Sequence, residues 1–160
     1  MRRAIAMCAA AAAMAGAALG CRVVPVDEGG TLDWSRGLLV VPAPGSPGVV
    51  YLVVGNPTGA ADRVTAVRGA GADSAQGHRT MAMGNGMEGM APVGVLPIPP
   101  HDSVRFAPGG LHIMVFGVPA SLHAGDSASV TVAFRGAGEI THWARVITYA
   151  EVDSAIANDR

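Results

Sequence analysis

The chain has 160 residues, half of them apolar, with only 14% charged and 4% aromatic. That size and composition fit one folded domain and exclude disorder driven by low hydropathy. Its formal net charge is −1 and all 11 basic residues are Arg, spread without a cluster, so the basic patch that nucleic-acid binding requires is missing.

Residues 1–20 begin Met1-Arg2-Arg3, continue through an apolar run rich in Ala, and end Ala17-Ala18-Leu19-Gly20 before Cys21. A positive start, an apolar middle and small residues at the end are the layout of a secretory signal. The run is shorter and more Ala-rich than a spanning helix, which needs about 20 strongly apolar residues. The Ala-Leu-Gly-Cys ending resembles a bacterial lipobox, which implies a lipid on Cys21 and an extracytoplasmic protein anchored to a bacterial membrane. Cleavage before Cys21 removes Cys8, two of the 11 Arg and none of the 12 acids, for a net charge of −3. The mature chain then has no disulfide and no free thiol ligand for the oxidising compartment it enters.

Residues 21–33 lack periodicity and read as a tether. From Trp34 the pattern becomes short Val- and Ile-rich runs broken by Gly and Pro. Leu38–Val41, Val49–Val54, Arg63–Val67, Val104–Phe106, His112–Val118, Val130–Phe134 and Ile140–Ile147 are the strand candidates. Turn signals such as Asn56-Pro57-Thr58-Gly59, Pro108-Gly109-Gly110 and Gly136-Ala137-Gly138 separate them. Val130, Val132 and Phe134 alternate with Thr131 and Ala133, as in a strand with one buried face. No window past residue 20 longer than ten residues carries a helical repeat. The expectation is an all-β, Greek-key sandwich or barrel of about seven to nine strands over residues 34–148. A frayed or weakly helical tail follows at 149–160.

Methionine is distributed unevenly. Met1, Met7 and Met14 belong to the signal, and the other five of the eight fall between residues 78 and 114. Core filling would scatter them among the strands. Instead Met81, Met83, Met87 and Met90 surround the Gly-rich turn Gly84-Asn85-Gly86. Farther on, His112 and Met114 lie two apart, hence on one face of a strand, with Ile113 on the other. Imidazole nitrogen with thioether sulfur is a soft, neutral donor set that suits Cu(I) better than Zn(II), Mg(II) or Ca(II). Thioethers need no deprotonation and form no disulfides, so they remain ligands where thiols would oxidise.

These residues resemble the PCu(A)C-type periplasmic copper(I) chaperones, whose pattern is His, ten residues, Met, 21 residues, then His-x-Met. Met90 and His112-Ile113-Met114 match its second half; eleven residues separate His78 from Met90, one more than the pattern. An insertion in the Gly84–Gly89 turn accounts for the difference, and Met87 stays open as an alternative to Met90. Met90-Ala91-Pro92-Val93 is similar to the family's Met-Arg-Pro-Val, with Ala91 in place of Arg. Trp34-Ser35-Arg36, Tyr51 to Asn56, Asp62-Arg63-Val64, Pro108 to Met114 and Leu122 to Asp126 are similar to further family segments, so the likeness runs from Trp34 to Val146.

The resemblance implies a cupredoxin-like fold. It implies one Cu(I) held by His78, Met90, His112 and Met114. Met81, Met83 and Met87, outside that pattern, read as turn packing or weak auxiliary contact, with auxiliary thioethers that pass copper along as the alternative. It also implies a monomer that delivers copper to a cuproprotein, such as the cytochrome c oxidase subunit with the copper-A centre. Enzyme readings lack support: there is no phosphate loop, no His-Glu-x-x-His, and no ordered Ser-His-Asp set. Four protein donors also fill Cu(I), without the open position that catalytic metals keep. Two other functions fit the same chain: a copper-sequestering lipoprotein and a metal-free β-sandwich lipoprotein of the envelope. His101, His123 and His142 are expected at the surface, Trp34 and Trp143 in core or edge packing, and Asp62-Arg63 in a structural turn or ion pair.

Overall fold

The computed structural model describes residues 32–34, 37–43, 46–69 and 71–157. The signal segment, Cys21 and most of the tether lie outside the described residues. Eleven strands occur among those described: β1 Asp33–Trp34, β2 Gly37–Val40, β3 Gly48–Asn56, β4 Asp62–Gly69, β5 Ser74–Gly84, β6 Met87–Pro92, β7 Leu96–Ile98, β8 Asp102–Phe106, β9 Leu111–Phe116, β10 Ser127–Phe134 and β11 Gly138–Ile147. The all-β reading holds, and each of the seven anticipated runs is a strand. The number of strands exceeds the expected seven to nine because β1 and β7 are very short and because β5 and β6 lack the Val and Ile that mark a strand locally.

The strands are ordered β6-β5-β9-β8-β3-β2-β11-β10-β4-β7, with β1 on β3 and a further β9–β3 pairing. Neighbours distant in sequence meet throughout, notably β2 beside β11 in parallel, which is the crossing pattern of a Greek-key sandwich. The sheet folds over one apolar core. Val50, Leu52 and Val54 of β3, Ile113 and Val115 of β9, Val130, Val132 and Phe134 of β10, and Val146 of β11 all point into it. Ile98, Ile113, Val132 and Val146 are fully buried, each stabilising the fold by about 1.5–3 kcal/mol relative to an exposed side chain.

Two domain limits move. Leu32, expected in the tether, is buried in the main core and Asp33 pairs with Gly55 of β3, so the folded domain begins before residue 34. At the other end, a 3-10 turn Tyr149–Glu151 leads into a helix, α1 Val152–Ala157. This segment is docked. Val152 and Ala155 close a second apolar cluster with Leu38, Val40, Tyr51 and Ile147 on the outer face of β2, β3 and β11. Glu151 anchors the turn by accepting hydrogen bonds from the Thr148 backbone N–H and hydroxyl, both at 2.8 Å. A six-residue helix is too short for its periodicity to register in the sequence. Among the described residues, no helix is long and apolar enough to cross a membrane.

Asn56, 1% exposed, ties β3 to the segment after β7. Its amide donates to the carbonyls of Ala60, Ile98 and Pro99, and its oxygen accepts from the N–H and hydroxyl of Thr58. Asp62 is a turn contact: its carboxylate accepts from the N–H groups of Gly136 and Ala137 and fastens the β10–β11 hairpin to β4. Trp143, expected in core or edge packing, is instead 66% exposed. β11 lies inside the sheet, and Trp143 alternates with Ala144, whose side chain is the one that enters the core. His101 and His123 are exposed and His142 is half-buried.

Candidate metal centre

β9 carries the centre of the site. Its inward residues Ile113 and Val115 anchor it in the core, which leaves His112 and Met114 on the opposite face. β5 pairs antiparallel with β9 in a register that sets His78 opposite His112 and Gln76 opposite Met114. Directly opposed residues project to the same side, and the two imidazole rings are stacked, with centroids 6.0 Å apart and planes 18° from parallel. Residues 34 apart in sequence are therefore immediate neighbours.

β6 continues the same face. Asn85 and Gly86 both have positive φ, at 53° and 74°, which makes a two-residue type I′ turn between β5 and β6. The register then sets Met90 opposite Thr80 and Pro92 opposite His78, so Met90 shares the face of His78 and His112. Met87, Gly89 and Ala91 alternate to the reverse face. The extra residue in the segment from His78 to Met90 is a bulge: the register steps between Ala82 and Gly84, just before the turn rather than in it.

Met90, His112 and Met114 line one open groove of about 480 Å³. Val49 and Tyr51 of β3, Pro108 and Gly109 of the turn before β9, and Thr80 and Glu88 of the hairpin complete one side. Tyr149, Val152 and Asp153 of the C-terminal segment form the other. That wall was not legible as part of the site, because nothing in residues 149–153 carries a ligand motif. Met81 and Met83 are not among the lining residues, and neither is Met87.

The two histidines are held alike. The ring Nδ1 of His112 is 3.1 Å from the Gly110 carbonyl, and that of His78 is 3.2 Å from the Gln76 carbonyl. A carbonyl can only accept, so each Nδ1 carries a proton, and in the neutral ring Nε2 is the nitrogen with the lone pair. The Gly110 oxygen also accepts from the Thr80 N–H at 3.1 Å, which joins the β8–β9 turn to β5. His112 is 5% exposed, and its Nε2 is buried with no hydrogen-bond partner among the described residues. An orphaned polar atom of this kind costs about 1–3 kcal/mol, and native folds retain one where a ligand completes it. Burial pushes the Tyr51 phenol above its usual range, with nearby Tyr149 adding to the effect, so the groove offers no phenolate.

Among the described residues, no three His, Cys, Asp or Glu side chains converge as a dication would require. Two imidazoles and two thioethers lie on one sheet face, and such groups are of the kind that suits a soft monovalent ion. Met90, His112 and Met114 line the groove, and His78 is beside His112 but not among the lining residues. Burial is graded across the four: His112 is buried, His78 and Met114 are half-buried, and Met90 on the sheet's edge is 61% exposed.

Comparison with solved structures gives the same architecture. The copper-bound PCuAC domain from PmoF2 superposes with a TM-score of 0.62 at 28% identity, covering 74% of this chain and 94% of that one. The apo PCuAC domain from PmoF1 gives 0.59 at 28% identity, over 74% and 95% of the two chains. The Cu(I) form of DR1885 from Deinococcus radiodurans gives 0.58 at 20% identity, over 82% and 84%, a likeness of fold. No curated protein sequence matches significantly. The family model described as "Putative lipoprotein LpqE-like" matches residues 33–146, which takes in every strand from β1 to β10 and nearly all of β11. The chain belongs to the LpqE-like family, and its fold is that of the PCuAC copper-chaperone domains.

Proposed function

We propose that this protein is an extracytoplasmic copper(I) chaperone, tethered to the membrane through a lipid on Cys21, that binds one Cu(I) through His78, Met90, His112 and Met114. The observation that carries the reading is the buried, unpartnered Nε2 of His112, whose lone pair stands in a groove with two thioethers and beside a second imidazole. The copper bound in the PmoF2 and DR1885 structures supports it, as does the lipoprotein character of the family.

The gradient of exposure suits transfer. His112 anchors the ion from an interior strand whose ring is fixed by Gly110, while Met90 offers its sulfur from the edge. An acceptor's own donors displace Met90 first and the buried imidazole last, so the ion changes hands by stepwise ligand exchange and is never free. All four ligands are neutral, so no charge has to be compensated as each one leaves. The negative rim set by Glu88 and Asp153 favours a cation in the groove without supplying soft donors that would compete for it. The resemblance to PCu(A)C-type chaperones makes the copper-A subunit of cytochrome c oxidase the natural recipient.

The test is anaerobic transfer. Protein loaded with less than one equivalent of Cu(I) is mixed with an apo copper-A domain, and the absorbance of the copper-A centre is followed. Growth of that spectrum, with Cu(I) retained against a chromogenic chelator until the acceptor is added, is the expected result. Retention without transfer would identify a sequestering protein, and a folded protein that retains no Cu(I) would refute both.

A further inference from the structure

Met81, Met83 and Met87 are left over by this site. They are 44%, 64% and 61% exposed, although burying such a side chain contributes about 1.5–3 kcal/mol. The pairing gathers them around one backbone position, Gly89. Met81 is its direct cross-strand partner. Met87 lies two residues before it on β6 and so projects to the same side. The Cγ and Sδ of Met83 would lie 2.8 and 2.9 Å from a β-carbon at Gly89, so its thioether occupies room that only glycine leaves.

The three thioether side chains therefore share the reverse face of the hairpin, turned away from His78, Met90 and His112. Glu88 alternates to the groove face, so no carboxylate of the hairpin shares this surface; Arg79 does, two residues before Met81 on the side away from the turn. A hard dication finds no oxygen donor there. Three neutral sulfurs on one small surface are a donor set that suits a soft monovalent ion.

We propose that Met81, Met83 and Met87 form a second, all-thioether Cu(I) site at the tip of the β5–β6 hairpin, separate from the His/Met groove. It goes beyond the chaperone reading, because binding here needs none of the groove's ligands. An exposed three-sulfur site at a sheet's edge is placed to take Cu(I) from a donor while the groove is already filled.

The test uses the full chain and three variants, loaded anaerobically with Cu(I). Wild type should retain about two equivalents and M81L/M83L/M87L about one, with unchanged far-UV circular dichroism, since leucine keeps an apolar side chain at these exposed positions. H112A/M114A should retain about one equivalent, whose X-ray absorption shows sulfur and no nitrogen. Ag(I), a redox-inert probe, added to H112A/M114A should shift the methyl signals of Met81, Met83 and Met87 together. M81L/M83L/M87L holding as much copper as wild type, or those three methyls unmoved by Ag(I), would overturn the proposal and leave an apolar docking patch. Failure of the groove reading looks different: nitrogen would be missing from the copper that M81L/M83L/M87L retains.

Discussion

His112 sits on an interior strand with a ring nitrogen that none of the described residues satisfies. Its burial works against the stability of the metal-free protein and for retention of a ligand. His112→Phe, which fills the same space without an orphaned nitrogen, should leave the apo protein's free energy of unfolding in urea within about 1 kcal/mol of wild type. It should also abolish retention of the nitrogen-bound Cu(I) in the groove. Met90→Leu acts differently, because Met90 is exposed and on the edge: chelator competition should show a smaller loss of affinity than with His112→Ala, and faster transfer to an acceptor. Loss of a direct ligand as buried as His112 should exceed the roughly 10–100-fold typical of outer-shell changes. Equal losses for Met90→Leu and His112→Ala would mean the four donors are not graded.

Legibility also differs by residue. The pairing of His112 with Met114 could be read from strand alternation alone. His78 and Met90 entered only through the resemblance, because a cross-strand register joining residues 34 apart has no local signature. The choice between Met90 and Met87 turns on a one-residue bulge, which sequence spacing cannot separate from a longer turn; the register puts Met90, not Met87, on the histidine face.

At the scale of elements, the least legible parts are those that shape the site. β5 and β6 hold Gly77, Gly84, Gly89 and Pro92 and no β-branched residue except Thr80. They are strands because β9 offers β5 a paired edge and Asn85-Gly86 closes the hairpin. The C-terminal segment is a comparable case: nine residues that read as a tail are held by Val152 and Ala155 on the outer sheet face and wall the groove. Truncation after Thr148 uncovers Leu38, Val40, Tyr51 and Ile147, and should lower stability by about 3 kcal/mol in urea unfolding. An unchanged midpoint would show that the segment adds nothing to the fold.

Across the whole molecule, the sandwich was legible because seven Val- and Ile-rich runs sit between Gly and Pro turns, and alternation fixes which face is buried. What the runs could not give was their spatial order, since the pairings of β2 with β11 and β5 with β9 are non-local. One such closure is polar. Burial acts to raise the Asp62 pKa, but hydrogen bonds from the backbone of Gly136, Arg63, Ala137 and Arg135 outweigh it and hold the carboxyl below its usual value. Its contribution is therefore complete above the unfolded carboxylate's pKa near ~3.9 and lost as pH falls through the lower folded value. Asp62→Asn should lower stability at neutral pH and flatten the acid limb of the stability profile. An acid limb identical to wild type would show that Asp62 is not part of it.

The central claim is that two imidazoles and two thioethers, brought together by β5, β6 and β9, hold one monovalent copper ion. Extended X-ray absorption at the copper edge, on protein loaded with less than one equivalent of Cu(I), counts those donors directly. The account predicts a mixed shell of about two nitrogens and two sulfurs that loses nitrogen in His112→Ala. A shell of sulfur alone, or of nitrogen and oxygen with no sulfur, would contradict it.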